Sequence, residues 1–201
     1  MEFLHDIFSA AFAFFNAKHI YIVAAIASYL SVFLLEKRLA KINATAGTFG
    51  KWIGFYYFTA VLLLINLLED TFWEALRLLD DYPSYALIAT LFVLSNIIYV
   101  AAFGYSIYRL LLHIHGGLLM TKVALATVPF FYSILPFVTH ALCASLADLP
   151  YSFAAHFKER PLDYDSIALP WSLPWLLYFF CSNSIKKSWK IVEDENQGKE
   201  K

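Results

Sequence analysis

The chain has 201 residues, of which 60% are hydrophobic and only 15% carry a charge. Its 15 Lys and Arg residues nearly balance its 16 Asp and Glu residues, giving a formal net charge of −1, and its mean hydropathy is +0.60. Soluble globular domains have about 25% charged residues and 45–50% apolar ones. The composition therefore argues against a cytosolic enzyme, a nucleic-acid binder and a disordered tail, and favours a protein whose solvent is the lipid bilayer.

Five apolar stretches have the character of membrane spans, which need about 17–25 helical residues to cross the hydrocarbon core. They cover residues 20–35, 52–68, 85–112, 123–147 and 167–183. The fourth contains Pro129 and Pro136, and the fifth contains Pro170 and Pro174. In lipid such segments persist as kinked helices, because their backbone groups have no alternative partner. The sequence predicts an all-α integral membrane protein, a five-helix transmembrane bundle with kinked fourth and fifth helices.

The amino-terminal region allows two arrangements around the first span. Either a short interfacial helix over residues 7–17 precedes it, or one long tilted helix begins near Phe8, with Lys18 reaching to the headgroups. A cleavable signal peptide is a third interpretation, but the start is acidic and EKRLAK, rather than a run of small residues, follows the apolar stretch. We expect an amino-terminal part (1–42), a four-helix membrane domain (43–192) and a polar cytoplasmic tail (193–201).

The charges of the connecting segments predict an orientation. The segments 36–51 and 109–122 and the tail are basic, whereas the alternate segments 69–81 and 148–165 are acidic. Sorted by side, one face of the membrane has 11 basic and 5 acidic residues, and the other has 4 basic and 11 acidic. Short cytoplasmic loops are enriched in Lys and Arg. The amino terminus is therefore predicted to lie outside and the carboxyl terminus in the cytoplasm, which requires an odd number of spans.

The first outer loop has a helical pattern of its own. Apolar residues recur at Leu68, Phe72, Leu76 and Leu79, and the acidic residues fall largely on the other face. This spacing predicts an amphipathic helix that extends the second span, lies in the outer interface and keeps its acidic residues in water until Pro83 ends it.

Polar residues inside the spans are few, and they are the default functional candidates because hydrocarbon makes them costly. They are Asn66, Ser95, Asn96, His140 and Cys143. No span has a clear midplane charge, which counts against an ion pump or a proton-coupled carrier. His140 and Cys143 lie three apart and face the same way, as metal or haem ligands would, but two ligands do not make a site. We predict that both are structural, with His140 near the outer end of its span and bonded to a helix neighbour, and that the protein has no cofactor.

Small residues at the start of the second span indicate close helix packing. Gly50 and Gly54 form a GxxxG pattern, which lets two helix backbones approach within a bundle or between subunits. The expected partners are therefore the lipid bilayer and either another membrane protein or a second copy of this chain, with no role for nucleic acid.

The carboxyl-terminal span ends in a recognisable motif. The residues that form it are Tyr178, Ser182, Ile185, Lys186, Ser188 and Trp189. It resembles the closing motif of a bacterial inner-membrane family known as domain of unknown function 2569, and GTFGKWIGF is similar to that family's Gly-Gly-Trp-Leu opening. Here Lys51 separates Gly50 from Trp52, and Ser184 replaces an expected basic residue. The resemblance covers residues 45–192 and implies a four-helix protein of the bacterial inner membrane, with residues 20–35 as an added helix, but no activity.

The same closing segment has the chemistry of a membrane anchor. Its aromatic rings are amphipathic and suited to the interface, and its basic residues suit anionic headgroups. The residues are Trp171, Trp175, Tyr178, Lys186, Lys187 and Lys190.

Three functional hypotheses follow from these features. The first is a non-enzymatic accessory or structural component that packs against a membrane partner, favoured by the small loops and the GxxxG pattern. The second is a small permease or channel subunit, in which the proline-broken helices line a cavity together with Asn66 and Asn96. The third is a membrane-embedded enzyme acting on lipid, for which His140 and the outer acidic residues are the only candidates.

Overall fold

The computed structural model describes residues 2–15, 22–23, 26, 30, 47–111, 116–152, 162–182 and 185. Its α-helices are α1 (Glu2–Phe15), α2 (Gly47–Asp81), α3 (Ala86–Leu111), α4 (Gly117–Pro129), α5 (Leu135–Leu146) and α6 (Leu162–Cys181). A 3₁₀ turn at Pro83–Tyr85 joins α2 to α3, and a π-helical turn at Phe130–Ile134 joins α4 to α5. All regular secondary structure in these residues is helical, which confirms the all-α prediction.

Three helical stretches in this part of the chain are long and apolar enough to cross a membrane. They are Gly54–Asp81, Pro83–Leu110 and Gly117–Leu146, and they cover most of the predicted second, third and fourth spans. Two shorter apolar helices, Phe3–Phe15 and Trp171–Cys181, lie at the amino terminus and in the predicted fifth span. The predicted first span, residues 20–35, lies almost entirely outside the described residues.

Helix α2 continues without a break through the segment that was expected to lie in the outer interface. Phe72 and Leu79 are buried, and so are Glu69 and Glu74, which are 7% and 1% exposed. The prediction that the acidic residues of this segment lie in water is therefore wrong for these two. The reason is that α1 and α5 pack against this part of α2, through Phe8 on one side and His140 on the other. Asp80 and Asp81, at the end of α2, are exposed.

Helix α1 lies along the carboxyl-terminal half of α2. The Phe15 ring stacks on that of Phe72 at 5.8 Å between centroids, and Nε2 of His5 lies 3.7 Å from Oδ1 of Asp80. The helix begins at Glu2, earlier than either predicted arrangement. Whether it continues into the first span depends on residues outside those described.

Prolines interrupt the fourth span as predicted. Pro129 ends α4 and Pro136 lies in the first turn of α5, and proline has no N–H to donate to the preceding turn. Between them, the N–H of Leu135 donates to the carbonyl of Phe130, five residues earlier, which is the π-helical pattern. In the fifth span, Pro170 and Pro174 lie within the single α-helix α6.

Two clusters of buried side chains hold the helices together. The first, which we call the aromatic cluster, joins α2, α3, α4 and α6 around Tyr56, Phe103 and Phe179. The second joins α1, α2, α3 and α5 around Phe72 and Phe92. The ends of α3 and α5 meet where the hydroxyl of Tyr85 donates to the carbonyl of Leu146 at 2.6 Å.

Large apolar side chains also cover much of the outer surface. Those on α3, α4 and α5 with about half or more of their area exposed include Leu87, Leu91, Ile98, Leu119, Val123, Val138, Leu142 and Leu146. Soluble monomers rarely expose apolar patches of this extent. The pattern is typical of helices that face lipid.

Candidate functional site

A buried hydrogen-bonded pair joins α2 to α5. Nε2 of His140 lies 2.9 Å from Oε2 of Glu74, and the two side chains are only 3% and 1% exposed. The imidazole N–H donates and the carboxylate oxygen accepts. Ionisable groups in such surroundings are expensive to bury, so a close partner of complementary chemistry is what makes the arrangement tolerable.

Other polar side chains are buried near Glu74 on the same helix. Thr71 is 1% exposed, and its hydroxyl donates to the carbonyl of Leu67 at 2.6 Å. Glu69 is buried as well. A hydroxyl can satisfy itself on the preceding helical turn in this way, whereas a carboxylate has no proton to donate there. Glu74 must therefore accept from a donor elsewhere, which His140 provides.

Tyr82, in the turn between α2 and α3, contacts the pair from the end of the bundle that carries the exposed residues Asp80, Asp81 and Asp148. We call this the acidic end. The Tyr82 ring meets the His140 ring edge-on, with 6.2 Å between centroids. Burial, together with the nearby Asp81 carboxylate, raises the pKa of the Tyr82 hydroxyl above its ordinary value. Tyr82 is therefore a neutral phenol at physiological pH.

A small cavity lies beside the pair and has room for about one water molecule. It brings acidic and hydroxyl side chains from α2 together with aromatic side chains from α3 and the π-helical turn. Its walls are formed by Leu67, Asp70, Thr71, Glu74, Phe92, Phe131, Tyr132 and Pro136.

The π-helical turn positions two of these cavity residues. The hydroxyl of Tyr132 donates to the carbonyl of Leu63 on α2. The neighbouring ring of Phe131 stacks on Tyr99 of α3, with 3.9 Å between centroids and an interplanar angle of 10°. Single π-helical turns are rare and are frequent at functional sites. The turn therefore links the cavity to both adjoining helices.

The two residues that were considered as metal ligands have different surroundings. His140 pairs with Glu74 on the adjacent helix α2. Cys143 is 1% exposed and packs in the apolar cluster around Phe72. In the described part of the chain, no three His, Cys, Asp or Glu residues are grouped so that they could hold a metal ion.

The intramembrane asparagines are partly or fully buried. Asn96 is completely buried, and its amide N–H donates to the carbonyl of Phe92 at 3.0 Å, while its Oδ1 has no hydrogen-bond partner within the described part of the chain. Asn66 is half-buried. Neither residue is among those that line the cavity.

The residues proposed as anchors and packing positions are only partly described. Trp175 is 8% exposed, and its ring meets Tyr56 edge-on at 5.1 Å, so it packs inside the aromatic cluster. Trp171 and Tyr178 are half-buried at its edge. Gly54 is buried on α2, and Gly50 lies in the first turn of the same helix. Lys186, Lys187 and Lys190 lie outside the described residues, and the anchoring role stays a prediction.

Sequence reasoning missed the acidic half of this site. The apolar stripe of residues 68–79 forms one complete helical face. Periodicity therefore puts the acidic residues between them, Glu69, Asp70 and Glu74, on an exposed face. One signal was present, since Glu69 and Asp70 directly follow the apolar stretch 52–68 with no turn residue between them. When a helix continues through such acidic residues, they can be buried between helices as readily as they can be exposed.

The comparisons with known proteins add no relative. No family model matches the chain, and no curated protein and no solved structure is similar to it.

The arrangement has a definite chemical capability. An imidazole and a carboxylate in hydrogen-bond contact can hold, exchange and release a proton. The cavity beside them would admit a water molecule but not an organic substrate of any size.

Proposed function

We propose that this chain is an integral protein of a bacterial inner membrane that crosses the bilayer five times. In this proposal its amino terminus lies outside and it acts as a non-enzymatic accessory or structural component that packs against a membrane partner. The three apolar helices, their exposed apolar faces and the charge asymmetry of the connecting segments support this placement. The resemblance to domain of unknown function 2569 supports the choice of membrane.

The observation that carries the accessory role is the filled interior of the bundle. Tyr56, Phe103, Trp175 and Phe179 pack where α2, α3, α4 and α6 meet, which is the place where a solute path between these helices would run. The outward faces of the helices present apolar side chains. A bundle that fills its own centre and exposes apolar helix faces is suited to side-by-side packing in lipid.

Site-directed photo-crosslinking in native membranes tests the proposal. A photoreactive amino acid is placed at one of three exposed positions, Ile98 on α3, Leu142 on α5 or Leu177 on α6, with the buried Phe103 as the matched control position. We expect one helix face, but not position 103, to give a crosslinked product of a single defined mass. The partner protein identified in that product should also be less abundant in cells from which the gene for this chain has been deleted. Crosslinks to lipid alone at all three exposed positions would contradict the proposal.

A second candidate, a small permease or channel subunit, is favoured by one observation. The Glu74–His140 pair places a carboxylate beside an imidazole inside the bundle, where the sequence had indicated no clear midplane charge. Vesicles that contain the purified protein and a pH-sensitive dye would test it. A permease that moves protons should collapse an imposed pH gradient faster than vesicles with His140→Gln, whereas an accessory protein should leave both equally tight.

A further inference from the structure

We propose that the Glu74–His140 pair is a proton-binding site, and that the proton it holds keeps α5 docked against α2. The ligand is a proton from the aqueous phase at the acidic end of the bundle. The inference concerns the pair itself, and it stands whether the chain assists a partner or carries a solute.

The first argument is the place of the pair among the helix contacts. Helix α2 packs extensively against α1 and α3 but meets α5 at few points. The hydrogen bond from His140 to Glu74 is one of these points, and it is fully shielded from solvent. This hydrogen bond is therefore one of the few contacts between the two helices, beside the packing of Cys143 in the cluster around Phe72.

The second argument is the freedom of α5 to respond. The helix has 12 residues and follows the π-helical turn. Pro129 directly precedes that turn, and Pro136 lies in the first turn of α5. Its other end is a tight turn in which Asp148 has a positive φ of 51°. Because α5 is interrupted at both ends, it can shift relative to α2 without distorting α4.

The third argument is access for the proton. Glu74 lies two helical turns before the exposed Asp81, a distance of about 10 Å along the axis. On the inner side of the pair, the small cavity beside Glu74 and Asp70 can hold a water molecule. The pair is thus close to water at the acidic end and has a polar space next to it.

Charged and titratable groups near the pair come from several elements. On α2 they are Glu69, Asp70 and Arg77, on the π-helical turn Tyr132, and on α5 Cys143, while Tyr82 lies in the turn and stays neutral. The α3 side chains at this level, Ala89, Phe92 and Val93, are apolar, and so is Phe8 on α1. His140 is the group among them whose type changes charge between pH 5 and 8.

The physical consequence is a change in the strength of the link. With His140 protonated, the imidazolium and the Glu74 carboxylate form a charge-assisted hydrogen bond. When the proton leaves, one positive charge is removed from beside the carboxylate, and the bond weakens to that of a neutral donor. Helix α5 is then held less firmly against α2.

The experiment uses the full chain in lipid nanodiscs with two measurements between pH 5 and 9. Nuclear magnetic resonance of ¹⁵N-labelled histidine reports the charge of each imidazole, and the His140 signal is identified by its loss in His140→Gln. Hydrogen exchange of the α5 amides, corrected for the intrinsic effect of pH, reports docking. We expect His140 to lose its proton within this range and α5 exchange to accelerate by about tenfold in the same step.

Two variants sharpen the result. In Glu74→Gln, α5 exchange should be fast at every pH and the step should vanish. In His5→Gln, which removes the exposed histidine near Asp80, the step should stay as in the parent chain. A His140 signal that does not change between pH 5 and 9 would overturn the proposal, and so would a change of its charge that leaves α5 exchange unaltered. Both of these outcomes are measured on the parent protein, and His140→Gln is needed only to identify which histidine signal belongs to His140.

Discussion

At the scale of single residues, the buried pair should show strong energetic coupling. Replacing either Glu74 or His140 with Gln takes away one partner and leaves the other buried without it, which typically costs about 3–5 kcal/mol. The double variant removes both, so its cost should be well below the sum of the two single costs. Unfolding of all four proteins in detergent micelles measures the coupling free energy. Additive costs would show that the two side chains do not depend on each other.

Two tyrosines of the aromatic cluster provide a second, matched comparison. The Tyr99 hydroxyl donates to the carbonyl of Ala124 at 2.8 Å, whereas the buried Tyr56 hydroxyl has no hydrogen-bond partner among the described residues. Tyr99→Phe should therefore lower the free energy of unfolding by about 1 kcal/mol. Tyr56→Phe should be neutral or stabilising, because it removes a buried polar group that gains nothing. Equal losses in the two variants, measured by thermal unfolding, would contradict this account.

The sequence placed His140 near the outer end of the fourth span, but it could not identify Glu74 as its hydrogen-bond partner. Glu74 lies 66 positions away, and its proximity depends on how α5 is oriented after the π-helical turn. Periodicity describes one helix at a time and says nothing of how two helices are rotated relative to each other. For the same reason, Trp175 was expected at an interface and packs inside the bundle.

At the scale of the elements, Gly117 allows the backbones of α3 and α4 to approach closely at their junction. A Cβ added at Gly117 would lie 2.9 Å from the carbonyl carbon of Arg109 and 3.0 Å from the backbone nitrogen of Leu110. Backbone atoms cannot move aside cheaply, so Gly117→Ala should destabilise the protein by about 1–3 kcal/mol. The measurement is the shift of the unfolding midpoint in detergent.

Gly104 is the matched control for this substitution. A Cβ there meets nothing within 4 Å, and alanine is favoured over glycine in a helix by about 1 kcal/mol. Gly104→Ala should therefore leave the midpoint unchanged or raise it. If both glycine variants lowered it alike, the close approach at Gly117 would not be the cause.

The sequence predicts the length of a helix where the helix is apolar throughout. It does not predict how far a helix continues where contacts with other helices decide this. Most of the apolar stretches 52–68, 85–112 and 123–147 lies in helices of sufficient length, Gly54–Asp81, Pro83–Leu110 and Gly117–Leu146. The segment after residue 68 was assigned to a surface because its acidic residues suit water. Its burial depends on α1, whose Phe8 and Phe15 rings cover Phe72, and such a contact between distant elements leaves no local pattern.

At the scale of the whole molecule, the proposed orientation predicts which fusions are active. A reporter that works only in the cytoplasm should be active after Lys201, because the basic residues of the tail keep that end inside. The same reporter should be silent after Asp81 or Asp148, both of which belong to the acidic end. Enzyme activity of each fusion, normalised to its abundance, is the measurement. An active fusion at either aspartate would contradict the five-span topology.

Composition and span length were enough to predict an all-helical chain with helices that can cross a membrane. They were not enough to predict where the charges lie within it. The buried Glu69 and Glu74 belong to the acidic residues that the charge count assigned to the outer side, and the count is unaffected by whether a carboxylate faces water or a neighbouring helix. Orientation and burial are thus separate properties of the same residues.

The π-helical turn has a consequence for how the gene can change. It holds one residue more than an α-helical turn would, and one residue corresponds to a rotation of about 100° around the helix axis. Because the extra residue is accommodated within one turn, α5 keeps the orientation that it would have after a regular α-helical turn. Loss of a single codon between Phe130 and Ile134 would therefore allow a regular α-helix and leave His140 facing Glu74, whereas loss of a codon between Pro136 and Thr139 would turn His140 by about 100°. The π-helical stretch should therefore tolerate a one-residue deletion better than the regular part of α5.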